Sequence, residues 1–80
     1  MKTFISSGTG FFTVYHGEKF DPTKQPDVSR YYLIWPTEQG WKVRFFDYSQ
    51  QSNVGASFDD EHLALASAYD HFICYQEKNK

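Results

Sequence analysis

The side chains of this 80-residue chain that could do chemistry are three histidines, one cysteine, ten carboxylates and eight lysines and arginines. His16, His62 and His71 are not spaced i, i+4, and no paired cysteines accompany them, so no zinc-ligand spacing is present. At 100° per residue, His62 and His71 fall on opposite sides of a helix, and each reads as a surface or hydrogen-bonded histidine. Cys74 has no identifiable base to activate it and reads as an unreactive thiol. Asp59, Asp60 and Glu61 lack the spaced oxygen ligands of a calcium loop. "GTG" at 8–10 lacks the third glycine and the following helix of a phosphate loop, so it reads as a turn. The expectation is a protein that is not an enzyme, uses no cofactor and no metal, and works by binding.

One row of residues has the chemistry for binding. In "WKVRFFDY" (41–48), strand alternation turns Trp41, Val43 and Phe45 to one side and Lys42, Arg44 and Phe46 to the other. Tyr32 and Trp35, from the preceding run "RYYLIWP", are expected to join the second side, and Gln51 and Asn53 to extend it. Cations beside aromatic rings can grip phosphates and stack bases, or anchor a protein partner.

These residues need a sheet to align them and a helix to cover its other face. "KTFISSGTGFFTVYHGEKF" alternates on both sides of a glycine turn, which predicts a hairpin. "DPTKQPD" (21–27) is a proline loop, "RYYLIWP" (30–36) and residues 41–48 are strands, and "TEQG" between them is a turn. A polar loop at "SQQSN" and a short strand through Val54 come next. The chain then passes into a helix from about Asp60 to about Glu77. Asp59 is placed as the N-cap, with Phe58 and Leu63 at staple spacing, and the lysines of "EKNK" at the C-terminal end. Leu65, Ala68, Tyr69, Phe72 and Ile73, widened by Ala66, form the stripe expected to pack on Trp41, Val43, Phe45 and Ile34. The fold class is therefore α+β: an antiparallel sheet of four or five strands on one C-terminal helix. Residues 1–80 form a single domain, with hairpin and proline loop in 1–28 and the sheet plus helix in 29–77.

Composition limits the function classes. One residue in five is aromatic, more than so small a core can hold, so several rings must lie at the surface. The net charge of −2 argues against a bulk electrostatic nucleic-acid binder. The lone cysteine suits a reducing compartment. No run approaches the ~20 apolar residues of a membrane span, and the first residues lack a signal-peptide apolar stretch. A soluble, cytoplasmic protein is expected, with no membrane partner and no indication of oligomeric state.

Residues 29–75 resemble the ethylene-response-factor type of DNA-binding domain, found in plant transcription factors and attached to phage homing endonucleases. Tyr31, Gly40, Trp41, Asp47, Gly55, Phe58, Asp59, Ala68, Tyr69 and Asp70 carry the likeness. It implies three antiparallel strands with a helix across them, and DNA reading from the exposed strand faces. The chain departs from the pattern by one extra residue between Phe58-Asp59 and Ala68-Tyr69-Asp70. It also keeps few of the family's arginines: only Arg30 and Arg44, with Lys42 beside them. Gln51, Ser52 and Asn53 stand where the third strand would read DNA.

Two function classes follow. The first is a small phage- or mobile-element-type inhibitor or adaptor, anti-CRISPR proteins among them, docking on a host protein or nucleoprotein complex. The second is a DNA-binding module using the same open sheet face.

Overall fold

The structure is a computed structural model that describes residues 1–21, 30–48 and 50–78. Five strands, β1 (Lys2–Ser6), β2 (Thr9–Thr13), β3 (Arg30–Thr37), β4 (Gly40–Asp47) and β5 (Gln50–Asn53), form one sheet in the order β1-β2-β3-β4-β5. A single helix, α1 (Glu61–Lys78), lies across one face. The fold is α+β, as the change from two-residue to helical periodicity predicts.

Two-residue turns set the register of the β1–β2 and β3–β4 hairpins. Ser7 and Gly8 have φ of 51° and 78° and join β1 to β2, with Ser6 opposite Thr9. Glu38 and Gln39 join β3 to β4, with Thr37 opposite Gly40. The sheet is not antiparallel throughout. β2 and β3 run parallel, from Thr9 opposite Arg30 to Thr13 opposite Ile34. A parallel pair needs a connection of roughly a dozen residues or more, and residues 14–29 supply it. The proline-loop expectation for 22–27 lies outside the described residues. Within the described part, the connection returns across the face opposite the helix and sets Phe20 against Phe12 and Tyr31, at centroid distances of 5.3 and 5.7 Å.

β5 differs from expectation. "QQSN", read as a loop, is itself the strand, and Val54 continues its line, its N–H donating a hydrogen bond to the Val43 carbonyl. An edge strand needs only one ladder, so its side chains can all be polar. Phe58 then rejoins β4, exchanging both backbone hydrogen bonds with Trp41.

The core is built on stacked rings. Phe11, Tyr32 and Phe45 stand side by side on adjacent strands, with centroids 5.0 and 4.6 Å apart, and Phe72 meets Phe11 edge-on. Ile34, Val43, Val54, Ala64 and Ala68 complete the buried cluster, and Trp41, Phe58 and Tyr75 pack at its margin. The helix face differs from the expected one. Ala64, Ala68 and Phe72 point inward, while Leu65, Tyr69 and Ile73 remain 39–41% exposed. Three large rings already fill the sheet side, so close approach requires alanines opposite them. Polar contacts hold the same orientation: Glu61 with Tyr15, His71 with Tyr32, and Tyr75 with Asp47.

The helix start is one residue later than expected. Asp60, not Asp59, is the N-cap, and its carboxylate accepts the Leu63 amide at 2.8 Å. Leu63 is 49% exposed, so no Phe58–Leu63 staple forms. The side chains of Lys78 and Lys80 lie outside the described residues. No helix among the described residues is long and apolar enough to cross a membrane.

Candidate binding face

Directly opposed residues of neighbouring strands share a face, so the pairing fixes what the sheet presents away from the helix. Trp35 lies opposite Lys42, Leu33 opposite Arg44 and Tyr31 opposite Phe46. On the far side of β4, Arg44 lies opposite Asn53 and Phe46 opposite Gln51. Six expected site residues, Trp35, Lys42, Arg44, Phe46, Gln51 and Asn53, therefore come together on one face.

Tyr32 does not belong there. It pairs with Phe45 and points toward the helix, fully buried, with its hydroxyl 2.6 Å from Nδ1 of His71. Alternation explains the correction: Tyr32 is two residues from Ile34, and both must turn to the same side. Tyr31 and Leu33 hold the outward positions instead. Burial, reinforced by the neighbouring Tyr75 hydroxyl, raises the Tyr32 phenol well above its ordinary range.

The face divides into two zones. Toward β2 it is aromatic and closed: Phe12 is fully buried beneath Phe20 and Tyr31, and Tyr31 stacks on Phe46 at 4.6 Å. Toward β5 it is cationic and open. The Arg44 guanidinium lies over the Trp35 ring at 5.6 Å, and its Nε donates to Asn53 Oδ1 at 3.3 Å. Both contacts hold a long side chain in place, so less freedom is lost when a partner arrives.

Strands β3–β5 carry charge of opposite kinds on their two faces. β3, β4 and β5 turn no carboxylate to the open face; Asp47 pairs with Arg30 on the helix side, where Tyr75 also donates to it at 2.5 Å. Glu61 is on the helix side too, accepting from the Tyr15 hydroxyl at 2.6 and 2.8 Å and facing Lys2 at 3.5 Å. The Tyr15 hydrogen bond, aided by Lys2, holds the Glu61 carboxyl below the ordinary glutamate range. A chain of net charge −2 thus carries a cationic strip on strands that turn no carboxylate of their own to that face.

Beside this strip, the segment from Val54 to Phe58 bulges away from β4. Val54 bonds to Val43 and Phe58 to Trp41, so residues 55–57 are looped out next to Lys42. With Gln39, Lys42, Arg44 and Asn53 they line a cleft of about 260 Å³. Sequence reasoning did not find Ser57 or this loop, because the paired amides that frame it are backbone features. Among the described residues, no three His, Cys, Asp or Glu side chains converge as a metal site would require. Comparison with protein-family models, with curated proteins and with solved structures finds no match to the chain.

Proposed function

We propose that this chain is a non-catalytic binding module, an inhibitor or adaptor of the phage or mobile-element kind. It docks on an acidic surface of a host protein or nucleoprotein complex through the open face of β3–β5. The observation that supports this most is the shared register of Trp35, Lys42, Arg44, Gln51 and Asn53 on a face free of carboxylates from these strands. A tryptophan under an arginine is the type of pair that anchors protein interfaces, because it combines large apolar area with a charge-assisted donor. Strands that turn no carboxylate to this face let a net-negative protein still approach an acidic partner this way round.

A second reading is DNA binding by the same face. It is favoured by Lys42 and Arg44 standing two residues apart beside the amides of Gln51 and Asn53, a set that can contact phosphates and base edges. With two cations the salt slope would be shallow, about −2 in log K against log salt.

The test is capture of partners from host lysate by wild type, Trp35→Ala, Arg44→Ala and a control on the exposed side of the helix, Asp70→Ala. A mobility-shift assay at two salt concentrations accompanies it. A protein held by wild type and Asp70→Ala but lost from the two sheet variants supports docking. Equal capture by all four chains refutes the sheet face for a protein partner, and a DNA shift abolished by Arg44→Ala moves the assignment to the second reading.

A further inference from the structure

The cleft beside Lys42 has the composition of an oxyanion site. Lys42, Arg44, Gln39, Asn53 and residues 55–57 line it beside Val43, with no acidic residue in its wall. The looped-out backbone is built in rather than incidental. Gly55 has a φ of +70°, and a Cβ there would lie 2.8 Å from the Phe58 ring, so only glycine lets the chain pass between ring and cleft. Flanking hydrogen bonds at Val54 and Phe58 pin the loop at both ends, at 3.0 and 2.8 Å. Among the described residues, the amides of Gly55, Ala56 and Ser57, the Ser57 hydroxyl and the Lys42 ammonium make no hydrogen bond or ion pair to the rest of the chain.

We propose that this cleft is a subsite for a tetrahedral phosphoryl group. The inference rests on the docking face above and names the group that its cationic end takes. The chemistry favours phosphoryl over carboxylate because two elements bring donors to the cleft: an ammonium and a guanidinium on β4, and a hydroxyl and amides on the loop. A planar carboxylate leaves part of such a set unused, whereas three phosphoryl oxygens can accept from all of them. The cleft's volume suits one such group with its ester oxygen. A phosphorylated side chain on a protein partner and free phosphate share this chemistry, and the test separates them.

The experiment uses the full 15N-labelled chain, titrated with sodium phosphate and with O-phosphoserine against sodium chloride at matched ionic strength. Saturable shifts confined to the amides of Gly55, Ala56 and Ser57 and to β4 near Lys42 are expected with both phosphate probes and not with chloride. Tighter binding of O-phosphoserine identifies the modified side chain as the source; equal binding identifies free phosphate. Lys42→Ala should weaken either probe about tenfold, and Lys42→Arg should restore most of that. Ser57→Ala is a second variant whose side chain lies outside the core, so its folding is not at risk. Shifts no different from chloride, or spread over the surface, overturn the proposal. So does strong binding of oligothymidylate in the absence of any O-phosphoserine response, which assigns the face to nucleic acid. If Lys42→Ala and Ser57→Ala keep full partner capture while Trp35→Ala loses it, the subsite fails and the docking face stands.

Discussion

The Tyr32 hydroxyl lies 2.6 Å from Nδ1 of His71, so a polar contact inside a ring of aromatics ties the central strand of the sheet to the helix. Tyr32 also stacks on Phe11 and on Phe45, and His71 meets Phe45 at 5.2 Å. The apolar body of Tyr32 therefore fills the core, while its hydroxyl fixes the helix's rotation about its own axis. Tyr32→Phe should cost about 1 kcal/mol of stability, the usual net contribution of one hydrogen bond. Tyr32→Ala should cost roughly 3–5 kcal/mol, the range for a large ring truncated in a core. Denaturant unfolding measures both. Because the ring faces the helix, Tyr32→Phe should leave partner binding as in wild type, and a loss of binding there would contradict the assigned face.

The inward alanines make a second prediction. Ala64 and Ala68 are fully buried against the rings of the sheet, so Ala68→Leu should destabilise by about 1–3 kcal/mol through overpacking. Leu65→Ala and Ile73→Ala should change the melting temperature less, since both residues lie outside the buried cluster. Tyr69 is intermediate, touching Phe11 and Phe72 at 5.9 and 5.8 Å. Thermal melts of the three variants test the orientation: a larger loss for Leu65→Ala than for Ala68→Leu would refute it.

These two cases show what the sequence made legible. Strand alternation in 41–48 gave the row of Lys42, Arg44 and Phe46 directly, since a period of two admits only two faces. The partner strand was harder: assigning Ile34 inward and Tyr32 outward conflicts with that same period. Helix rotation was misread for a physical reason. Hydrophobicity favours Leu65, Tyr69 and Ile73, but steric fit against three stacked rings favours Ala64 and Ala68, and steric fit prevails in a close-packed core. The parallel pairing of β2 with β3 could not be read because the connecting residues 14–29 carry no register signal. The cleft at 55–57 depends on which backbone amides are paired, which no side-chain pattern reports.

Gly40 offers a backbone prediction. Its φ is +119°, and a Cβ there would come within 2.5 Å of the Phe58 carbonyl oxygen. Gly40→Ala therefore meets both an unfavourable backbone conformation and a backbone clash at the point where Phe58 rejoins Trp41. A loss of roughly 1–3 kcal/mol is expected from the strained conformation alone. Hydrogen exchange should show added opening at the Trp41 and Phe58 amides. A variant as stable as wild type would mean that the Phe58 segment is not seated as described.

The Glu61–Tyr15 pair predicts how stability varies with pH. The Tyr15 hydroxyl and Lys2 hold the folded-state Glu61 carboxyl below its ordinary value of 4.5. Its contribution is thus complete above that value and is lost as pH falls through the lower folded one. The same hydrogen bond raises Tyr15 above its ordinary 10.0, so on the alkaline side the contribution is complete below 10 and lost as pH rises through the folded value. Tyr15→Phe should flatten both limbs of the stability profile relative to wild type, and Glu61→Gln should flatten the acid limb. Melting temperatures across the two ranges decide the matter; parallel profiles for wild type and Glu61→Gln would remove Glu61 from the account.

The binding face itself yields the last prediction, and it separates anchoring from folding. Arg44 stands on the face away from the helix, its guanidinium over the Trp35 ring and bonded to the exposed Asn53 side chain, so Arg44→Ala removes little that the core depends on. It should lower the melting temperature by no more than a degree or two, yet weaken partner binding by about 2 kcal/mol, as loss of a desolvated arginine anchor does. Phe46 behaves differently. Its ring stacks on Tyr31 and joins the cluster that Phe20 covers, so Phe46→Ala should cost both stability and binding. Calorimetric titration and thermal melts of the two variants together distinguish these effects. Salt then reports the partner's nature: for DNA, Lys42→Ala should reduce the salt slope by about one, while for a protein surface the truncated anchors dominate and added salt matters less. If Arg44→Ala binds the partner as wild type does, the cationic strip is solvent-facing decoration, and the apolar groove that Phe4, Leu65 and Tyr69 line on the helix side becomes the surface to test.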